Sequence, residues 1–471
     1  MEECLALGSL VVPVVSGFFI VSRSFPAVFR PTTLPLRVFL GTGIGMGLAS
    51  SSYSAWYFLI GRPNFGYFAS EAIGLAVVGG WYLRHAQSSA AVPCAPAVRA
   101  PVSSWLRVSW WLVVALSGVT YLLATVKYSH GTWDAWAIWN LRARFLFSGG
   151  SLGRTFSPLL AWSHPDYPVL VPGLVARSWQ QLGVASPVAP MLVAALFTAA
   201  TVGVLGTGLA ALRHRTAGAV ASLLLLGTPA FLVYGSSQVA DIPLAYFMVA
   251  TVVLMQLARA WPMRQHSLVV LAGCTAGMAA WTKNEGVLFL AIVAVVSVAE
   301  TMARPVPWRQ WIRWVLGVGP WLMLLAYFKI RWAPPNDLIA LPVLQRTVHQ
   351  LGQPERYWFL LRAFARETVG FGGWRFSAVL LLVVGAAASL AAGNRWLDNR
   401  VAHGMNLVMS AMLAGHFFIF LLDPYDLAWH VGTALNRLFL QLWPTLLFLF
   451  FLQISFPPVV EPVQTEAQRL P

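Results

Sequence analysis

Apolar runs of about twenty residues recur from one end of the chain to the other, each long enough to cross the roughly 30 Å of a bilayer's hydrocarbon. Nothing else in the sequence constrains the fold so strongly. In hydrocarbon every backbone polar group needs an internal partner, and a helix supplies one within each run. Of the 471 residues, 58% are hydrophobic and 10% charged, against roughly 25% charged in a soluble domain. The chain is expected to be all-α, a polytopic transmembrane helical protein. Spans can be drawn at about 5–22, 38–60, 66–83, 108–126, 187–212, 217–235, 239–260, 267–282, 286–300, 314–330, 375–393, 402–422 and 438–456, about 13 in all. The apolar piece 168–182, with Pro168 and Pro172, reads as a segment lying along the interface.

The net charge is +15 and the pI near 10.4. In such a chain this is positive-inside bias, and no nucleic-acid partner is indicated. With the N-terminus outside, the inner loops receive Arg23, Arg30, Arg37, Arg84, Arg99, Arg107, Arg213, Arg215, Arg259, Arg264, Arg304, Arg309, Arg313, Arg395 and Arg400. The short outer loops keep little beyond Arg62, Lys283 and Arg437; the remaining outer basic residues concentrate in two long segments, about 127–177 and 329–375, and long loops escape the rule. Cys4, Cys94 and Cys274 form no CxxC pair, so neither a disulfide framework nor a thiolate metal site is indicated. The chain has no Asn-x-Ser/Thr sequon, which fits a bacterial source and an inner-membrane, multi-pass location. An Ala/Pro/Ser-rich stretch, 84–107, reads as an inner-face linker between a three-span N-terminal module (1–83) and a membrane core (108–456); 457–471 is a polar tail.

This topology sends most unusual polar residues to the outer face. Asp134, His164, Asp166 and Tyr167 lie in the first long loop; Asp241 opens a span; Lys283, Asn284 and Glu285 make a turn between spans; His430 and Arg437 lie near the last outer loop. Ionisable groups at membrane depth are costly and face a cavity or a partner. Read as a helix from Thr132, the first loop places Trp133, Trp136, Asn140 and Arg144 on one stripe, with Asp134, Ile138, Leu141 and Phe145 on its neighbour. Each residue also has a plainer reading. Asp134 and Asp241 suit helix caps, the Pro-flanked His164–Asp166 pair suits a rigid turn, and Lys283 with Glu285 suits a neutralising pair.

Together the early aspartate of the first loop, the His-Pro-Asp-Tyr-Pro segment at 164–168, Asp241 at a span mouth and the Thr-Lys-Asn-Glu-Gly turn at 282–286 resemble the GT-C superfamily of membrane glycosyltransferases. The nearest branch holds the protein O-mannosyltransferases and the lipid A aminoarabinose transferases. The resemblance covers about 108–440 and makes 108–456 a GT-C-like catalytic core. It implies inverting transfer of a sugar from a polyprenyl-phosphate donor to a lipid, glycan or protein acceptor, at a site facing the periplasm or exterior and in contact with membrane lipids. It makes Asp134 the general base, with Asp166 and Asp241 as further catalytic acids. Lys283, Arg142, Arg144 and Arg437 would hold the donor phosphate, and Trp133, Trp136, His164, Tyr167, Asn284, Glu285 and His430 the substrates. Ala135 and Trp136 stand where a second acid often follows the first, so a divalent metal has no clear ligand motif. The competing class is a transporter or flippase of a lipid-linked or anionic substrate, for which inverted repeats and midplane polar groups would be expected.

Overall fold

Helices start and stop where the apolar runs meet proline, glycine and charge. The structure is a computed structural model that describes residues 2–26, 32–87, 103–303, 308–336, 349–374, 377–391 and 400–454. Most of the expected linker, the polar tail, and Arg30, Arg99, Arg304 and Arg395 lie outside the described residues. Among the described residues there is no strand; the protein is all-helical.

The N-terminal helices are α1 (Glu2–Ser24), α2 (Leu34–Leu59) and α3 (Phe65–Gln87). Then come α4 (Ser104–Lys127), α5 (Asn140–Ser148) in the first long loop, α6 (Leu170–Leu182) and α7 (Val188–Leu212). The central run is α8 (Arg215–Leu226), α9 (Pro229–Ser236), α10 (Asp241–Ala260), α11 (Gln265–Thr282) and α12 (Asn284–Ala303). It continues through α13 (Trp308–Arg331), α14 (Pro354–Gly370), α15 (Ala378–Ala391), α16 (Arg400–Leu421) and α17 (Leu427–Gln453).

Eight of these helices are long and apolar enough to cross a membrane, or nine when α8 and α9 count as one bent span. The expected thirteen are not all matched, for local reasons. Gly227 ends α8 and Pro229 opens α9, breaking the 217–235 run with a 69° bend. Within the run at 375–393, whose ends lie outside the described residues, α15 accounts for 14 residues. α2 and α3 form at full length, but serines, glycines and charge dilute their apolar character.

α10 is the centre, with 94% of its apolar window buried, and it packs against α7, α11 and α17. The N-terminal helices share this core: α2 lies against α6 and α7, and Tyr246 of α10 donates to the carbonyls of Phe39 and Leu40 at 3.1 and 2.9 Å. Arg177 of α6, 1% exposed, is bonded to both carboxylate oxygens of Glu71 on α3 and to the Ser9 carbonyl of α1. This ties α6 inward. Leu170 to Trp179 are buried throughout, so α6 is packed into the protein.

Candidate functional site

The site is built where α10, the α11–α12 turn, α17 and the first long loop meet. Asp241 is the first residue of α10, with Ala240 at the cap position. Its carboxylate makes no cap bond and is turned to side chains, so the capping reading gives way to a network. Oδ1 accepts from Lys283 Nζ at 3.2 Å and from Gln441 Nε2 at 2.6 Å. Oδ2 accepts from Arg437 Nε at 3.1 Å and Nη2 at 2.8 Å. This fully buried carboxylate is thus met by four N–H donors, three of them from charged groups.

Arg437 reaches outward as well, its Nη1 donating to Asp134 Oδ2. One guanidinium therefore joins an aspartate of the first loop to one buried at the mouth of α10. Lys283 is likewise shared, its Nζ lying 2.7 Å from Glu285 Oε1. Burial pulls the Lys283 ammonium down, but Asp241 and Glu285 more than reverse this and leave it above its ordinary value. Taken together, three carboxylates (Asp134, Asp241, Glu285) face two cations (Arg437, Lys283). Among the described residues no three His, Cys, Asp or Glu side chains form a group suited to hold a metal ion.

The α11–α12 turn explains how Lys283 gets there. Lys283 is extended (φ −153°, ψ 164°) and is the single residue between two helices. A cation at the end of α11 and an acid in the first turn of α12 both suit the helix dipoles. The turn closes through Gly286, where a Cβ would lie 1.8 Å from the Ala279 carbonyl oxygen. Only glycine lets the two helices fold back this closely.

A second cluster adjoins the first through Asn284. Asp166 Oδ2 accepts from Asn284 Nδ2 and Asn336 Nδ2, each at 2.7 Å. Lys329 Nζ donates to the Asp166 carbonyl at 2.6 Å and to Asn284 Oδ1 at 2.9 Å. Tyr167 bridges the two clusters, stacked on His164 and Trp139 with Lys283 Nζ 5.8 Å from its ring centre. Burial, then Glu285 and Asp166, push its phenol well above the ordinary value.

The first loop is pinned at both ends. Gln238 links Asn140 (2.9 Å) to the Ser129 carbonyl (3.0 Å). Arg142, 2% exposed, donates to the carbonyls of Ser163 and His164 at 2.8 and 2.9 Å. Burial lowers its guanidinium to about 10. His164 holds the turn in a left-handed conformation, φ 47°. Residues Ala135–Trp139 wind as a π-helix where a plain α-helix was expected. Trp136, Asn140 and Arg144 still share a face, around a cavity of about 40 Å³. The neighbouring stripe parts: Ile138 is buried, while Asp134 reaches Arg437.

The structure thus gathers Asp134, Asp166, Tyr167, Asp241, Lys283, Asn284, Glu285 and Arg437. His164 stacks on Tyr167 at the edge of this group, and the other expected residues lie elsewhere. Arg142 props the 163–164 turn, and Arg144 lies over Trp179. Trp133 and Trp136 are about half exposed and cluster with Trp162 on the surface. His430 pairs with Asp423. Sequence reasoning passed over Lys329, Asn336 and Gln441. Lys329 carried the same signal as Lys283, a lysine ending an apolar span; Gln441 lies mid-helix and carried none.

Residues 170–344 match the family described as Dolichyl-phosphate-mannose-protein mannosyltransferase. A comparison with curated proteins returns no match. Among solved structures, ArnT from Cupriavidus metallidurans in the apo state aligns at 16% identity over 72% of this chain and 58% of that one, with a TM-score of 0.42. The same protein bound to undecaprenyl phosphate aligns at 16% identity over 72% and 59%, with a TM-score of 0.43. The chain therefore spans under three fifths of the length of these structures. The family match encloses Asp241, Lys283, Asn284, Glu285 and Lys329.

Proposed function

We propose that the protein transfers a sugar from a polyprenyl-phosphate donor to an acceptor hydroxyl or amine, with inversion, at the outer face of a bacterial inner membrane. The observation that carries this reading is Arg437 bridging Asp134 and Asp241. Of the clustered acids, Asp134 has the most open side chain, 23% exposed against 0% for Asp241, 9% for Asp166 and 13% for Glu285. Asp134 is the base: it takes the acceptor's proton as the acceptor atom bonds to the anomeric carbon. The bond from that carbon to the phosphate oxygen breaks, and polyprenyl phosphate leaves with the electron pair.

The resting cluster carries one more carboxylate than cation. A donor phosphate entering it competes with Asp134 for the Arg437 fork, which suits bidentate oxyanions. That exchange frees Asp134 to act as base. Lys283 and Lys329 supply further positive charge to the leaving phosphate, and Asp241 and Asp166 position these cations. Tyr167, Asn284 and Glu285 line the approach. Which sugar moves is set by contacts with the sugar itself.

The test uses purified protein in lipid nanodiscs with a panel of polyprenyl-phosphate sugars, wild type beside Asp134→Asn. Sugar release or transfer by the wild type and its loss in a folded Asp134→Asn protein are expected. Equal turnover by both would move the base to another acid. Silence with every donor, joined to uptake of a lipid-linked substrate into vesicles, would replace the transferase by a transporter.

A further inference from the structure

A large cavity opens outside this site, and none of the clustered acids and cations lines it. It measures about 1030 Å³ and sits behind α4, walled by α7 and α8 and capped by Phe39 of α2. Sites for small molecules span about 300–1,000 Å³, so this space is at the upper end. Its lining is dominated by small and apolar residues, and among its described lining residues there is no Asp or Glu. Both charged residues in the lining, Arg107 and Arg215, stand at one end, where α4 and α8 begin. Both are exposed at this rim. From Arg107 the cavity follows α4 to Tyr121, about 21 Å at the rise of an α-helix.

α4 itself is weakly held. Only 6% of its apolar window is buried, and it packs on α8 and α9 alone among its main neighbours. Its outer surface is strongly apolar, with Trp111, Leu112, Leu116 and Leu123 all more than 60% exposed. Behind it, Gly118 faces the cavity, and a Cβ placed there would meet nothing within 4 Å. Such space beside a loosely packed helix in hydrocarbon is filled by chains, and the arginine pair selects what those chains are attached to.

We propose that this cavity holds an anionic phospholipid from the leaflet opposite the catalytic loop, its phosphate at Arg107 and Arg215 and its acyl chains along α4 toward Tyr121. The end of the cavity follows from geometry, because α4 runs from the arginine rim to the loop that bears Asp134. Basic pockets between spans on the cytoplasmic side bind anionic headgroups. The lipid props α4, from which the catalytic loop hangs. This site goes beyond the transferase reading and is tested without turnover.

The full chain is placed in phosphatidylcholine nanodiscs and given phosphatidylglycerol or phosphatidylcholine probes carrying a diazirine on one acyl chain. Crosslinked peptides are then mapped. The phosphatidylglycerol probe is expected to label the lining of α4 and α7. Gly118→Trp fills the cavity and removes that labelling in protein that remains monodisperse; Gly118→Leu repeats the test with less bulk if tryptophan impairs folding. Arg107→Ala and Arg215→Ala each lower the preference for phosphatidylglycerol by about fivefold. Unchanged labelling in the filled, folded variants overturns the proposal, as does equal labelling by the two probes in the wild type. Displacement of the probe by polyprenyl phosphate at lower concentration than by phosphatidylglycerol overturns it too, by making the occupant the sugar carrier.

Discussion

Arg437 can be removed in a way that tests the whole reading of the site. In the wild type, Arg437 and Lys283 share three carboxylates. Arg437→Met leaves those three with one cation, and Asp241, fully buried, keeps only Lys283 and Gln441. Stripping one partner from a buried ion pair costs about 3–5 kcal/mol. Asp241→Asn is milder, because it removes the excess negative charge and leaves Arg437 with Asp134 and Lys283 with Glu285. The new amide also has a ready acceptor in Gln441 Oε1, a buried atom with no hydrogen-bond partner. Its cost is about 1 kcal/mol, that of one rearranged hydrogen bond. The double variant should therefore be more stable than Arg437→Met alone, by about 1–3 kcal/mol on the same reasoning. Reversible unfolding in mixed micelles, followed by tryptophan fluorescence, gives all four corners of the cycle. Additivity of the two single changes within about 0.5 kcal/mol, or Asp241→Asn as the more damaging single change, would refute the charge-sharing argument.

Other expectations follow from other parts of the fold. Glu71→Ala leaves the Arg177 guanidinium buried without its carboxylate and should destabilise the protein by about 3–5 kcal/mol, read by the same unfolding measurement. Gly286→Ala forces a methyl group against the Ala279 carbonyl and should separate α11 from α12; distance measurements between labels on the two helices check this, and an unchanged distance would show that the turn has slack. The Tyr167 phenol has a folded pKa above its ordinary value of 10.0. Its contribution to stability is then full below pH 10 and lost as the pH rises through the folded value, so the difference between wild-type and Tyr167→Phe absorbance titrations should show one phenolate appearing only above pH 10. Lys329→Met should weaken donor binding more than folding, because Lys329 is 31% exposed and Asp166 keeps two asparagine donors; a donor titration by fluorescence decides it.

The fold class was legible because hydrocarbon demands long apolar runs, and those runs are visible without any contact being known. Asp241 and Lys283 were legible for a related reason: charge at the end of an apolar span needs a partner. What that partner would be was not. Arg437 lies 196 residues from Asp241 and 303 from Asp134, and only the packing of α17 against α10 joins them. Arg142 and Arg144 looked alike in sequence, both basic residues two apart in an outer loop. Burial separates them, since Arg142 is enclosed by the turn it holds while Arg144 rests on a tryptophan face. The bend between α8 and α9, where glycine and proline interrupt an apolar run, was not legible, because hydropathy registers composition and not a bend.

The π-helical turn at Ala135–Trp139 acts as an angular spacer. One α-helical residue advances the chain by about 100° around the axis, and a π turn takes up roughly one extra residue before the backbone realigns. Asp134 lies before the spacer and Asn140 and Arg142 after it. The acid facing α17 and the side chains that anchor the loop are thus set on directions that an unbroken α-helix of the same sequence would not give. The orientation of the proposed base is written into the backbone winding, and a side-chain substitution in this stretch leaves it in place where the deletion of one residue would not.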